Sequence, residues 1–248
     1  MPNWNVAAAQ YASRAGDIDA NIAHHLTFIR QAATLEVDLI VFPQLSITGY
    51  ELEVTPELAM LANDPRLQQF ADAARDYDMT VIIGIPLRVD QSQHNAAMTF
   101  LPDGTRLTYA KRHLLDQEPR FFVPGAHGGP IFGAQQRNVG MAVCADISIE
   151  EFARDVADGG ADLYVVTALL PQNIYHDNCA HLARWSSELK MSVLMSNHAI
   201  PTGGHLSDGG SAFWDAEGNQ VIHAGSGEAL MIARQNAGGW QGEIHPLG

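Results

Sequence analysis

Residues 139–151 read VGMAVCADISIEE. Val139, Met141 and Val143 alternate with small residues, the period of a buried strand. The apolar run stops at Cys144, and polar, helix-forming residues follow. A cysteine where strand gives way to helix has its sulfur at the rim of a sheet, near backbone N–H groups. A thiolate can be stabilised there and can attack a substrate. A small buried thiol that only fills the strand end fits the same stretch, since free cysteine is among the most buried residue types. The rest of the chain decides between them.

Upstream of this stretch, strands and helices alternate. Val6, Ala8 and Gln10 mark a first strand. Asp17 or Asp19 then caps a helix that carries Ile18, Ile22, Leu26, Ile29 and Ala33 at helical spacing. His24 and His25 are neighbours on it and point about 100° apart. Residues 38–42 (DLIVF) form a continuous apolar strand of the kind buried on both faces, and it runs into the loop PQLSITGY. Short helices are expected near residues 56–61 and 65–77, and a buried strand at 80–85 (TVIIGI). Residues 95–101 and 105–109 flank PDG and form a β-hairpin turning at Asp103-Gly104, whose second strand delivers Lys111 into a loop.

Downstream of Cys144 the alternation resumes. A helix is expected over 150–158 and ends at Gly159-Gly160. A strand at 162–167, a loop at 168–173, a long helix at 176–190 and a strand at 192–197 follow. The last part reads as two hairpin pieces, one turning at EGN (217–219) and one joining the strand at 221 to residues 228–233. The pattern implies one α/β domain of two sheets, each covered by helices on its outer face.

At 248 residues the chain can bury one large core. Its 46% hydrophobic and 17% charged residues exclude disorder. A net charge of −14 without a Lys/Arg cluster argues against nucleic acid and against an anionic membrane surface as partners. No stretch approaches the roughly 20 apolar residues of a membrane span, and MPNWNVAAAQ lacks the basic and apolar regions of a signal peptide. The two cysteines, Cys144 and Cys179, form no CxxC motif, as expected of a reduced cytoplasmic protein without disulfides.

Three strand-end stretches now stand together: FPQLSITGY at 42–50, YAKRHL at 109–114 and VCADI at 143–147. In order and spacing they resemble the nitrilase, or carbon–nitrogen hydrolase, superfamily. PDG in the hairpin, VPG at 123–125, GADL at 160–163 and GGSAFWDAEGN at 209–219 extend the resemblance over nearly the whole chain. It implies a four-layer α-β-β-α sandwich spanning residues 1–248, a homodimer or higher homo-oligomer, and no cofactor. It also implies cleavage of a non-peptide C–N bond in a small amide, a carbamoyl compound or a nitrile, by a Glu, a Lys and a Cys. The compact length favours the amidase type.

By this resemblance Cys144 is the nucleophile and forms a thioester. Lys111 lowers the thiol pKa and stabilises the oxyanion, with the Ala145 N–H as second donor. The proton-shuttling glutamate belongs at position 44, where this chain has Gln44. A carboxamide has nearly the shape of a carboxylate but cannot take and return a proton at neutral pH. Gln44 is therefore a deliberate isosteric replacement, a natural one in a ligand-binding pseudoenzyme, or a loss covered by a neighbour. Glu118, at a position where many family members carry a second glutamate, is the candidate neighbour. Asp146 also matches a family position and is expected to brace its loop.

Tyr50 is expected to line the pocket, and the stretch from Thr167 to Leu170, with Thr167 and Ala168 foremost, to face Cys144 with backbone carbonyls that hold the substrate nitrogen. Ala145 stands where the family often has an aromatic residue, which widens the pocket if its side chain faces in. Asn95 reads as structural, and Arg112 and Arg120 as solvated. The eleven histidines show no metal-site spacing, so no metal is expected. Cys179, within a helix, reads as a packed thiol.

Overall fold

The computed structural model describes residues 4–247. Strand β1 (Trp4–Gln10) feeds helix α1 (Ile18–Thr34), whose N-terminus is capped by the Asp17 carboxylate accepting from the Ala20 N–H at 3.0 Å. Next come β2 (Leu39–Val41), the short α2 (Thr55–Leu58), α3 (Gln68–Asp76) and β3 (Thr80–Val89). Strands β4 (Ser92–Phe100) and β5 (Arg106–Ala110) form the hairpin around PDG. Then follow β6 (Phe132–Ala134), β7 (Arg137–Val143), α4 (Glu150–Asp158), β8 (Leu163–Thr167), α5 (Gln172–Leu189) and β9 (Ser192–Ser196). The chain closes with β10 (Ala212–Trp214), β11 (Gln220–His223), β12 (Ala229–Asn236) and β13 (Gly239–Pro246).

The strands make two sheets, ordered β13-β12-β1-β2-β3-β4-β5 and β11-β10-β9-β8-β7-β6. The layering follows from side-chain alternation along each strand. In β1, Ala7 and Ala9 join a core with Ile22, Phe28 and Ile29 of α1 and Phe70 of α3. Val6 and Ala8 point the other way and join a core with Val139 and Val165 of the second sheet. That same core continues through the second sheet to Val156 of α4 and Trp185 of α5. Helices, sheet, sheet, helices: the order is α-β-β-α, as the resemblance implies.

The C-terminal pairing differs from expectation. The hairpin expected at EGN forms, with Phe213 of β10 opposite Ile222 of β11, but the second does not: the strand at 221 does not pair with residues 228–233. Strand β12 instead crosses to the first sheet and lies antiparallel along all of β1, from Trp4↔Gln235 to Gln10↔Ala229. Burial explains the choice: Leu230, Met231, Ile232 and Ala233 are all fully covered, which requires a site with neighbours on both faces. Strand β13 was not expected, because GWQGEIHP is polar and mostly exposed, as befits an edge. Strands β3 and β4 also pair directly, across a turn at Asp90 with φ 52°. Among the described residues, no helix is long and apolar enough to cross a membrane.

Candidate active site

Strand β2 is parallel to β1 and β3, and β8 is parallel to β7 and β9; the C-terminal ends of these strands carry the site, where α/β proteins place their sites. From β2 comes Gln44, whose backbone N–H donates to the Ala168 carbonyl at 3.2 Å, from the loop after β8. From beyond β9 comes His198, whose Nε2 lies 2.7 Å from the Gln44 carbonyl oxygen. The position of Gln44 also depends on Gly84 of β3. A Cβ there would collide with the Pro43 carbonyl and the Leu45 N–H, so only glycine lets the loop lie against the strand.

Cys144 ends β7 and opens a 3₁₀ turn spanning Cys144–Ser148. Its φ is +47°, a left-handed conformation that a side chain with a Cβ adopts at a cost, and such residues cluster at functional sites. Asp146 holds the turn in place. Its carboxylate accepts from the N–H groups of Val143 at 3.1 Å, Arg112 at 3.1 Å and His113 at 2.8 Å, and from the Tyr109 hydroxyl at 2.8 Å. These bonds tie the cysteine turn to the segment carrying Lys111. Asp146 is the loop brace that the sequence suggested.

Gln44, Tyr50, Lys111 and Cys144 all line one cavity of about 680 Å³. Glu118 lies behind it, fully buried, with its carboxylate 2.8 and 2.7 Å from Lys111 Nζ. Lys111 is itself only 2% exposed, so the pair neutralises two charges that could not otherwise be buried. Glu118 further accepts from Gln44 Nε2 at 3.1 Å, Asn95 Nδ2 at 2.9 Å and the Leu115 N–H at 2.9 Å. Asn95 is thus structural, as expected. A carboxylate offers about four lone-pair sites, and these contacts occupy them.

The same contacts fix the Gln44 amide. Because Glu118 only accepts, Nε2 must face it, leaving Oε1 buried and without a hydrogen-bond partner. Burial pushes the Cys144 thiol pKa up, and the nearby Lys111 ammonium pulls it back by less. The Cys144 Sγ lies 3.4 Å from the Leu169 carbonyl. Cys144 is thus a buried thiol that shares its cavity with the Lys111 ammonium and the Gln44 carboxamide.

Two expected lining residues stand one step back. Thr167 ends β8 and Ala168 begins the loop, and neither lines the cavity; Leu169, within the same expected stretch, does, its carbonyl lying beside the sulfur. The Ala145 methyl does not line it either, so its small size does not widen the pocket. Arg112 is not solvated: its guanidinium stacks 3.7 Å from the Phe152 ring centroid and pairs with Asp155 at 2.7 Å. Arg120 is exposed beside Gln117. Cys144 and Cys179 are both free. Sequence reasoning missed His198, whose pKa burial lowers to about 4, and the cavity residues Leu115, Asp116, His205 and Leu206. His198 could have been found by asking which polar residue follows each parallel strand. The others lie in loops without periodicity.

The carbon-nitrogen hydrolase family model matches residues 5–241. The chain belongs to that family. It is 29% identical over 233 residues to an (R)-stereoselective amidase from Pseudomonas sp., covering 92% of this chain and 83% of the relative. A glutamate-to-glutamine mutant of the amidase from Nesterenkonia sp. AN1, carrying acrylamide added to its active-site cysteine, superposes with a TM-score of 0.85 at 24% identity. It covers 92% of each chain. A CN-hydrolase superfamily protein from Xanthomonas campestris, with an arsenic adduct in its active site, gives 0.88 at 21% identity over 96% of this chain and 92% of its own. The two solved structures share the four-layer fold of this carbon–nitrogen hydrolase.

Proposed function

We propose that this carbon–nitrogen hydrolase cleaves a small amide or carbamoyl compound, and less readily a nitrile, through a thioester on Cys144. The observation that carries the reading is Cys144 at a left-handed turn, sharing one cavity with a Lys111 held by the buried Glu118. Cys144 Sγ attacks the carbonyl carbon and the C=O π pair moves to oxygen. The Lys111 ammonium and the Ala145 N–H, near the start of the 3₁₀ turn, stabilise that oxyanion. Collapse breaks the C–N bond and ammonia leaves with the proton that the thiol gave up; water then adds to the thioester and its proton returns to sulfur, giving the acid and free thiol. The Leu169 carbonyl, 3.4 Å from Cys144 Sγ, accepts from the substrate N–H₂ in this reading. The remaining parts of the reading are a reduced cytoplasmic setting, a homodimer, and a single catalytic domain across residues 1–248.

Gln44 slows every proton transfer in this cycle. General acid–base catalysis contributes typically about 10²–10⁴-fold, and the attack, the loss of ammonia and the attack by water all use it. We therefore assign this chain weak turnover, with acylation faster than release. A second reading, a ligand-binding protein without turnover, draws on the occupied lone pairs of Glu118, which leave no replacement base. Ammonia release from an amide panel, with intact mass at each time point, separates them. Slow ammonia with an acyl adduct on Cys144 supports the first reading. Tight amide binding with neither adduct nor ammonia, in this chain and in Gln44→Glu alike, supports the second and removes the first.

A further inference from the structure

Resting on that reading, we infer that the substrate is an uncharged amide whose acyl group is an apolar chain or ring. Leu115, Ile174 and Leu206 form its collar, and amides bearing a free carboxylate are excluded.

The collar is made of large apolar side chains left open to solvent. Leu115 is 39% exposed, Ile174 37% and Leu206 68%, and all three line the cavity that holds Cys144. They come from three separate segments: the loop after β5, the first turn of α5 and the loop after β9. Single exposed leucines are ordinary on a protein surface. Three converging on the mouth of one cavity form a patch that an apolar ligand would cover. Deeper in, Leu169 and Pro171 continue the apolar wall down to the sulfur. A chain running from Cys144 to the mouth could follow this apolar wall, with the uncharged amides of Gln172 and Asn173 as its polar neighbours.

The charges point the same way. Among the described residues, three ionisable side chains besides Cys144 and Tyr50 line the cavity: Lys111, Asp116 and His205. Both Glu118 oxygens already hold Lys111, so it can serve an oxyanion but is no free counter-ion for a distant carboxylate. His205 packs edge-on against the Tyr50 ring at 5.1 Å. Asp116 is exposed at the rim. Glu51 and Glu53 border the adjoining recess, which shares Tyr50, Asp116 and His205 with the cavity. Arg112 is held by Phe152 and Asp155, and Arg120 by Gln117, so neither serves the cavity. An incoming carboxylate would meet negative charge at the entrance and no fork to hold it within.

The test uses Gln44→Glu for turnover and the unmodified chain for binding, at pH 8 and pH 6 to expose any contribution from imidazole. Acetamide, butyramide, hexanamide and phenylacetamide are compared with succinamic acid. Binding is read as protection of Cys144 from iodoacetamide, by peptide mass. The expected kcat/KM rises about three- to fourfold per added methylene, and succinamic acid falls at least tenfold below butyramide. In Leu206→Asp, at a surface position that leaves the core intact, the hexanamide-to-acetamide ratio drops about tenfold. A flat chain-length series, or succinamic acid as the better substrate or protector, overturns the inference and leaves the hydrolase reading standing. So does a Leu206→Asp that dissociates an oligomer by light scattering yet keeps the ratio, since the collar would then be a subunit contact. Absence of both turnover and protection with every amide overturns the hydrolase reading itself.

Discussion

Substituting Gln44→Glu should raise activity and lower stability, both for one electrostatic reason. The Gln44 Nε2 lies 3.1 Å from a Glu118 oxygen. A glutamate of the same shape would place a second carboxylate there. Two unit charges at 3.1 Å repel by about 5 kcal/mol at an effective dielectric of about 20. Lys111, touching both Glu118 oxygens, offsets part of this. A net penalty of about 2–3 kcal/mol, at about 1.4 kcal/mol per pKa unit, raises the new carboxyl well above the ordinary glutamate range. It then titrates nearer neutrality, where a general acid–base group works best. The expected gain in ammonia release is about 10²–10⁴-fold, with an acid limb in the pH profile that the parent chain lacks.

The stability cost has a defined sign. The folded pKa of the new glutamate is raised, so the penalty is complete above that folded value. It disappears as pH falls below the unfolded value near 4.3. A loss of about 2–3 kcal/mol corresponds to about 5–10 °C in Tm for a chain of this size. Thermal melts of both forms between pH 4 and 8.5 should therefore start together and diverge as pH rises. A folded Gln44→Glu with less than a tenfold gain and a Tm gap independent of pH would refute this electrostatic account of Gln44.

Three further outcomes follow from the same geometry. Glu118→Gln strips Lys111, 2% exposed, of its counter-charge and should cost about 3–5 kcal/mol in urea denaturation; a loss under about 1 kcal/mol would show that the two charges are not buried together. Alkylation of Cys144, followed on its own peptide, should rise about tenfold per pH unit through neutrality and still be rising above about pH 8.5, because burial outweighs Lys111; a plateau below pH 7 would contradict this. In the Gln44→Glu background, His198→Asn removes the donor 2.7 Å from the residue-44 carbonyl and should lower kcat about tenfold with KM little changed. A shift in KM alone would make His198 a packing residue rather than one that positions residue 44.

Much of the scaffold was legible because its signals are local. The runs DLIVF and TVIIGI and the alternation up to Cys144 announce strands buried on both faces, and Asp17 announces its helix. Strand β13 carried only a weak signal: GWQGEIHP is mostly exposed, as an edge strand can be, and Trp240 is the side chain it packs on the core, against Trp4 and Phe213. The partner of β12 was equally hidden, since a fully buried strand is apolar whichever sheet receives it. Lys111, Cys144 and Gln44 could be named from strand-end motifs. The turn of the loop at Leu169, which displaced Thr167 and Ala168 from the cavity wall, depends on tertiary contacts that no period encodes.

The Gln44–Glu118 contact shows best where sequence reading stops. From residue types alone, Glu118 is as good a base as the missing glutamate, and either could deprotonate Cys144. Their difference lies in what donates to them. Glu118 takes two contacts from Lys111 and one each from Gln44, Asn95 and Leu115, so its oxygens are engaged in holding the cation in place. Those donors come from segments far apart in the chain and are visible only once folded. Position 44 has the opposite character: its side chain has one donor bond and one unpartnered oxygen, lining the cavity that holds the sulfur. A carboxylate there would be the least satisfied acid in the site and hence the most basic. Gln44 removes the repulsion with Glu118 and, with it, the group best placed to move protons. A fold that is more stable with glutamine than with glutamate at this position is the expected signature of a site built for catalysis rather than for stability.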